Sequence, residues 1–168
     1  MPIEVGDRIP HVNLFVLGDD GAPLGTPADE VLSNKRVLLF AVPGAFTRTC
    51  SAKHLPGFVA HANEIRARGI DEIACVSVND ALVLAAWGRE HGAGGKVRML
   101  SDGLGEFTRA LGLEQDMSAK GYGVRSRRYA MLIENGKVAD LHVEAPGEYG
   151  VSSAEAVLER LEKSGGRS

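Results

Sequence analysis

The sequence predicts an α/β fold, a mixed sheet carrying helices on both faces, and three observations lead there. Apolar runs and helical spacings alternate between residues 36 and 111, the pattern of parallel strands joined by crossover helices. Two later runs, Tyr129 to Glu134 and Lys137 to Val143, flank Asn135 and Gly136, the strongest short-range signal for an antiparallel hairpin. The run RVLLFAV, Arg36 to Val42, shows almost no polar alternation, as expected of a strand covered on both sides. With 168 residues and 44% hydrophobic content, the chain suits one domain, residues 1–168, around one sizeable core.

In order, HVNLFVL (His11 to Leu17) predicts a first strand, and the turn formers GDDGAPLG follow it. Thr26, Pro27 and Asp29 then predict a short helix, with Thr26 as cap and Pro27 at the first helical position. After RVLLFAV, Pro43 and Gly44 stop the strand. Leu55, Phe58, Val59, Ala62 and Ile65 then recur at helical spacing, so Thr49 to Ser51 belong to a first helical turn. Pro56 and Gly57 predict a kink in that helix, because proline donates no amide to the ladder. EIACVSV, Glu72 to Val78, predicts the next strand, and Asn79 is the expected cap of a helix to about His91. Val97 to Leu100 predicts a short strand and Gly105 to Leu111 a short helix. Glu114 to Arg127 has no sustained period and is expected to be mostly loop. Ser152 with Glu155 forms a capping-box pattern for a helix to about Lys163. The tail SGGRS, 164–168, is expected to be disordered.

Charge and cysteine content narrow the function. The net charge is -3 with both signs interspersed, so neither a nucleic-acid nor a membrane surface is expected. The first residues, MPIEVGDRIPHVN, carry no basic segment followed by an apolar one, and no apolar run approaches a membrane span. A cytoplasmic location is the expectation. The two cysteines, Cys50 and Cys75, form no CxxC pair, and the five histidines fall in no ligand spacing. No metal and no prosthetic cofactor are expected. The segment GLGEFTRALG faintly echoes a dinucleotide loop but lacks the third glycine and the flanking unit.

Free cysteines are most often small buried hydrophobes, and Cys75, inside an apolar strand, reads that way. Cys50 reads differently. It lies where a strand gives way to a helix, among Thr47, Arg48 and Thr49, where free backbone amides and the peptide dipoles favour an anion over a neutral thiol.

PGAFTRTC, residues 43–50, matches the P-x3-T-x2-C signature of peroxiredoxins. PGAF with CSAKHLPGF resembles the subfamily of mammalian type five and plant type II. ACVSVNDALVLAAWGREHGAGGKVRMLSD and RRYAMLIENGKV extend the resemblance from about Ile3 to Glu144. It implies a thioredoxin-like three-layer sandwich with a mixed central sheet and an added N-terminal strand pair. It also implies reduction of hydrogen peroxide and organic hydroperoxides by Cys50, with Thr47 and Pro43 shaping the pocket. An arginine ahead of a late strand should complete the site. Alignment on the aromatic of RYAMLI makes it Arg128, with Arg125 and Arg127 as neighbouring candidates. A homodimer formed near the active-site loops is implied too, with Phe46 and Trp87 as possible contributors. Arg48 stands where the subfamily commonly has proline.

The chemistry of thiols fits that resemblance. Lowering a thiol pKa from ~8.5 to ~6 raises its thiolate fraction at neutral pH only about thirtyfold. Most acceleration must therefore come from donors aimed at the peroxide oxygens: the Thr47 hydroxyl, the Arg128 guanidinium and helix-start amides. His54, four residues after Cys50, either contacts the thiolate or a reductant or is an ordinary polar helix residue. Animal members carry a resolving cysteine in the C-terminal region, whereas no cysteine follows Cys75 here. Cysteine recycling then falls to an external thiol, glutathione with glutaredoxin or thioredoxin, or to Cys75 after local unfolding. The external route is the expectation, since opening a central strand is costly. A thioredoxin-type oxidoreductase is disfavoured by the missing CxxC, and a redox sensor or holdase-like protein is the other rival.

Overall fold

The computed structural model describes residues 2–163. Its main sheet has seven strands: β1 (Asn13–Leu17), β2 (Pro23–Pro27), β3 (Arg36–Ala41), β4 (Glu72–Ser77), β5 (Arg98–Ser101), β8 (Tyr129–Glu134) and β9 (Lys137–Val143), in the order β2-β1-β5-β4-β3-β8-β9. The centre β5-β4-β3 is parallel. The pairs β1-β2, β1-β5, β3-β8 and β8-β9 are antiparallel, so the sheet is mixed and thioredoxin-like, with an N-terminal strand pair added at one edge. At the other edge, the amides of Gly6 and Ile9 bond to the carbonyls of Val138 and Gly136, which gives the outer strand β9 a partner.

The period of two in β3 separates two cores. Leu38 and Phe40 point with Cys75, Ile73 and Ala130 to one face. Val37, Leu39 and Ala41 point with Ala74, Val76 and Met131 to the other. The first face is covered by α2 (Leu55–Ala60), α3 (Ala62–Ala67), α4 (Ala81–Glu90) and α6 (Ala154–Lys163), through Phe58, Ile65, Trp87 and Leu161. The second is covered by α1 (Ala28–Val31) and α5 (Glu106–Leu111), through Val31, Phe107 and Leu111.

Several local expectations are corrected. Thr26 and Pro27 end β2 rather than start a helix, and α1 follows with no side-chain cap. Asp80, not Asn79, caps α4, its carboxylate accepting the Val83 amide at 2.8 Å. The capping serine of α6 is Ser153, whose Oγ accepts the Ala156 amide at 3.1 Å. Ser152 instead bonds Glu144, and Glu155 reaches His61. Residues Glu114 to Arg127 are not mostly loop: β6 (Glu114–Asp116) and β7 (Val124–Ser126) form a second, two-stranded sheet around a 3-10 turn at Ser118–Lys120. Three-residue strands are too short to show a period. The disruption expected at Pro56 takes the form of a π-helical turn, Cys50–His54, directly ahead of α2. The tail 164–168 lies outside the described residues.

Candidate active site

β3 delivers the chain to the sheet's C-terminal edge, where the Val42 amide still bonds the Val76 carbonyl at 3.2 Å. Pro43 and Gly44 then leave the sheet, and Phe46 enters left-handed backbone at φ 64°, a conformation that costs a non-glycine residue about 1–2 kcal/mol. Asn79, beyond the end of β4, holds this turn. Its Oδ1 accepts the Ala45 amide at 2.9 Å and the Ser77 hydroxyl at 2.6 Å. The Thr47 hydroxyl donates to the Gly44 carbonyl at 2.7 Å. Its proton is therefore committed, and the expected donation toward a peroxide gives way to a hydroxyl that offers lone pairs.

Cys50 opens the π turn, in which the Leu55 amide bonds the Cys50 carbonyl five residues back. The widened turn directs both Cys50 and His54 into the protein, each with no solvent exposure. Trp87 supports it from α4, donating to the Ser51 hydroxyl at 2.9 Å.

The three arginines separate cleanly. Arg128, just before β8, donates from Nη2 to Cys50 Sγ at 3.2 Å and shares its Nη1 with His54 Nδ1 at 2.8 Å. Arg125 donates from Nη1 to the Pro43 carbonyl at 3.0 Å and from Nε to the Tyr122 carbonyl at 2.9 Å. It crosses Gly44 so closely that a Cβ there would lie 2.7 Å from Nη1 and would push the guanidinium aside. Arg127 turns to the Glu144 carbonyl at 3.0 Å. Thus Arg128 alone of the three touches the sulfur.

The partners of His54 fix its chemistry. Nε2 lies 3.0 Å from the Ser152 carbonyl, an acceptor only, so Nε2 carries the proton and Nδ1 accepts from Arg128. Burial, reinforced by the Arg128 charge, lowers the His54 pKa to about 3, so the ring is neutral and can accept from the guanidinium. Ser152 is itself held by Glu144, whose Oε2 accepts the Gly150 amide (2.6 Å), the Ser152 amide (2.8 Å) and the Ser152 hydroxyl (2.7 Å). Burial pushes this carboxyl up, but these hydrogen bonds hold it below the usual range. A continuous chain of bonds runs from Glu144 through Ser152, His54 and Arg128 to Cys50. Beside it opens a cleft of about 700 Å³, lined by Pro43, Thr47, Arg48 and Arg128 and by the walls 115–122 and 144–148.

Residues 4–158 match the Redoxin family. Peroxiredoxin-2C of Arabidopsis thaliana is 46% identical over 95% of this chain and 99% of its own length. The chloroplastic Peroxiredoxin-2E of the same plant is 49% identical, covering 95% of this chain and 69% of its own length. Among solved structures, reduced Prx3 of Vibrio vulnificus in complex with hydrogen peroxide superposes with a TM-score of 0.90 at 48% identity, covering 95% of this chain and 99% of its own. The chain belongs to the peroxiredoxins.

Peroxiredoxins are thiol-dependent peroxidases, and in this one the structure brings Cys50, Thr47, Pro43 and Arg128 to one corner of the fold. Among the described residues, no group of three or more His, Cys, Asp or Glu is placed to hold a metal ion. Cys75 sits in β4 opposite Phe40, fully buried, and burial followed by the neighbouring Cys50 raises its pKa well above the ordinary range. Phe46 is 51% exposed and Trp87 is fully buried, so of the two suggested interface aromatics only Phe46 is available at the surface. The sequence offers no site role for Asn79, Glu144 and Ser152, while Arg125, a neighbouring candidate for the site arginine, holds the Pro43 carbonyl instead. His54, marked by its spacing of four from Cys50, reaches the site through Arg128.

Proposed function

We propose that this peroxiredoxin reduces hydrogen peroxide and organic hydroperoxides by direct attack of the Cys50 thiolate. The sulfur bonds the nearer peroxide oxygen and the O–O bond breaks. Cys50 becomes a sulfenic acid, oxidised by two electrons, and the other oxygen leaves as hydroxide or alkoxide and takes a proton. Arg128 holds the thiolate and meets the charge growing on the leaving oxygen. Thr47, with its own proton on Gly44, accepts from the peroxide O–H and so orients it. Pro43 walls the pocket against water. The observation that carries this reading is the 3.2 Å approach of Arg128 Nη2 to Cys50 Sγ, with the guanidinium fixed by a neutral histidine. Peroxide consumption by the wild type and by Cys50→Ser tests it; equal rates would end the claim.

The cycle closes through an external thiol, glutathione with glutaredoxin or thioredoxin, and needs no prosthetic group. In support, Cys75 is buried at the centre of the sheet, and bringing it to Cys50 would require opening β4. Thiol mapping after one equivalent of peroxide tests this, since an abundant Cys50–Cys75 disulfide within one chain would overturn it. A homodimer through the exposed Phe46 turn and residence in the reducing cytoplasm complete the reading. Sedimentation tests the first and fractionation of cells producing the protein the second.

A further inference from the structure

Hydrogen peroxide is little larger than water, whose share of liquid volume is about 30 Å³, yet the cleft beside Cys50 measures about 700 Å³. Cavities of this order hold small organic molecules. Four cations line it: Arg48, Lys120, Arg127 and Arg128. Two of these are committed, Arg128 to Cys50 and His54 and Arg127 to the Glu144 carbonyl. Arg48 and Lys120 are exposed, and their side chains make no hydrogen bond or ion pair with any described residue. The cleft's carboxylates are unequal to them. Glu144 is taken up by Gly150 and Ser152, and Asp116 accepts the Ser118 amide. Asp116 and Glu148 remain exposed to an incoming ligand, so the four cations outnumber the cleft's three carboxylates by one. Arg48 also has a privileged place, since Thr47, Arg48 and Thr49 line the cleft in succession and Cys50 follows at once.

We propose that this cleft is a carboxylate-binding site in which Arg48, aided by Lys120, holds the acid group of a reactant while its thiol or hydroperoxide reaches Cys50. The inference rests on the peroxidase reading of Cys50 and adds the residues that recognise an anionic reactant. Two reactants carry the required group, a peptide thiol such as glutathione and a fatty-acid hydroperoxide. With the thiol, the sulfur attacks the Cys50 sulfenic acid, an S–S bond forms, the S–O bond breaks, and hydroxide leaves to become water. A second thiol then releases Cys50 by exchange, leaving the external disulfide. With the hydroperoxide, the carboxylate positions the same O–O cleavage as above.

The test compares charged and neutral reactants as ratios. In the thiol arm, reduction of the preformed sulfenic acid by glutathione is divided by that with dithiothreitol. In the peroxide arm, kcat/KM for linoleic acid hydroperoxide is divided by that for cumene hydroperoxide. Arg48→Ala should lower at least one ratio roughly fivefold and Arg48→Glu about tenfold or more, while Arg48→Lys should keep it within about twofold. The effect should fade at 0.5 M salt. A fall in one arm alone supports the site and names its reactant. Ratios unmoved in both arms by Arg48→Glu overturn it. Calorimetry with S-methylglutathione and with the hydroxy fatty acid needs no turnover, and a wild type that binds neither overturns the site even if peroxidase activity is intact. Conversely, loss of hydrogen peroxide turnover with dithiothreitol in the wild type would count against the Cys50 reading itself.

Discussion

Arg128 sends its two terminal nitrogens to different partners, Cys50 and His54, and this division sets what single substitutions should do. Arg128→Met keeps the bulk but removes both bonds. The second-order rate with hydrogen peroxide, followed by rapid mixing, should fall about 10²–10³-fold, the scale for losing one preorganised donor in a transition state. His54 acts on Arg128 rather than on peroxide. Its pKa of about 3 lies below the unfolded value, so between pH 6.5 and 3 the unfolded chain takes a proton that the native chain refuses. Stability from this group is full above pH 6.5 and is lost as pH falls through that window, by at most about 1.4 kcal/mol per pH unit. Urea midpoints measured from pH 7 to 4 should therefore decline more steeply in the wild type than in His54→Gln, which has nothing to titrate. Pro43, Thr47 and Cys50 stand in one spaced signature, and Arg128 is picked from three neighbouring arginines by its place before the RYAMLI aromatic. Asn79, Glu144 and Ser152 were not legible in the sequence, because their work is to accept and donate across a folded loop, and no periodicity marks such partners.

Elements marked by an apolar run, a turn dipeptide or a helix-start pattern lie within a residue or two of their expected bounds: β3, β4, α4, the Asn135-Gly136 hairpin and α6. What failed was local competition among polar groups. Ser152 and Ser153 are adjacent and chemically alike, yet the buried Glu144 carboxylate claims the first and leaves the second to cap α6. Ser153→Ala should then cost about 1 kcal/mol of stability, whereas Glu155→Gln should change it little, as measured by chemical denaturation. The reverse order would restore the capping-box assignment. Asn79 and Asp80 repeat the lesson, for the asparagine is drawn to the Ala45 amide and the aspartate inherits the cap. The π turn escaped notice for a different reason. A proline announces a break in hydrogen bonding but not whether the helix bends or widens, and here the room for Cys50 and His54 comes from widening.

At the level of the whole molecule, the mixed sheet places the two cysteines on the same face at very different depths of protection. Cys50 sits in a turn at the sheet's edge, while Cys75 is flanked by β3 and β5. Resolution by a bulky external thiol requires only the first to open, which favours the one-cysteine cycle. The strained, exposed Phe46 is where the proposed homodimer is tested. Phe46→Asn removes the aromatic and places a residue tolerant of left-handed backbone there. Sedimentation should show a concentration-dependent dimer for the wild type and a shift toward monomer for this variant, with the thermal midpoint of dilute protein held or raised.

The unequal depth of the two thiols also makes the molecule its own clock for unfolding. A large aromatic disulfide reagent cannot reach either sulfur in the closed state, since both are without solvent exposure. Its fast phase of labelling would time the fluctuations of the turn that bears Cys50, and its slow phase would time the parting of the central strands around Cys75. Two rates from one unmodified chain would separate local breathing from cooperative unfolding. Any ligand that stills the first without touching the second would be recognised at once by the phase it slows.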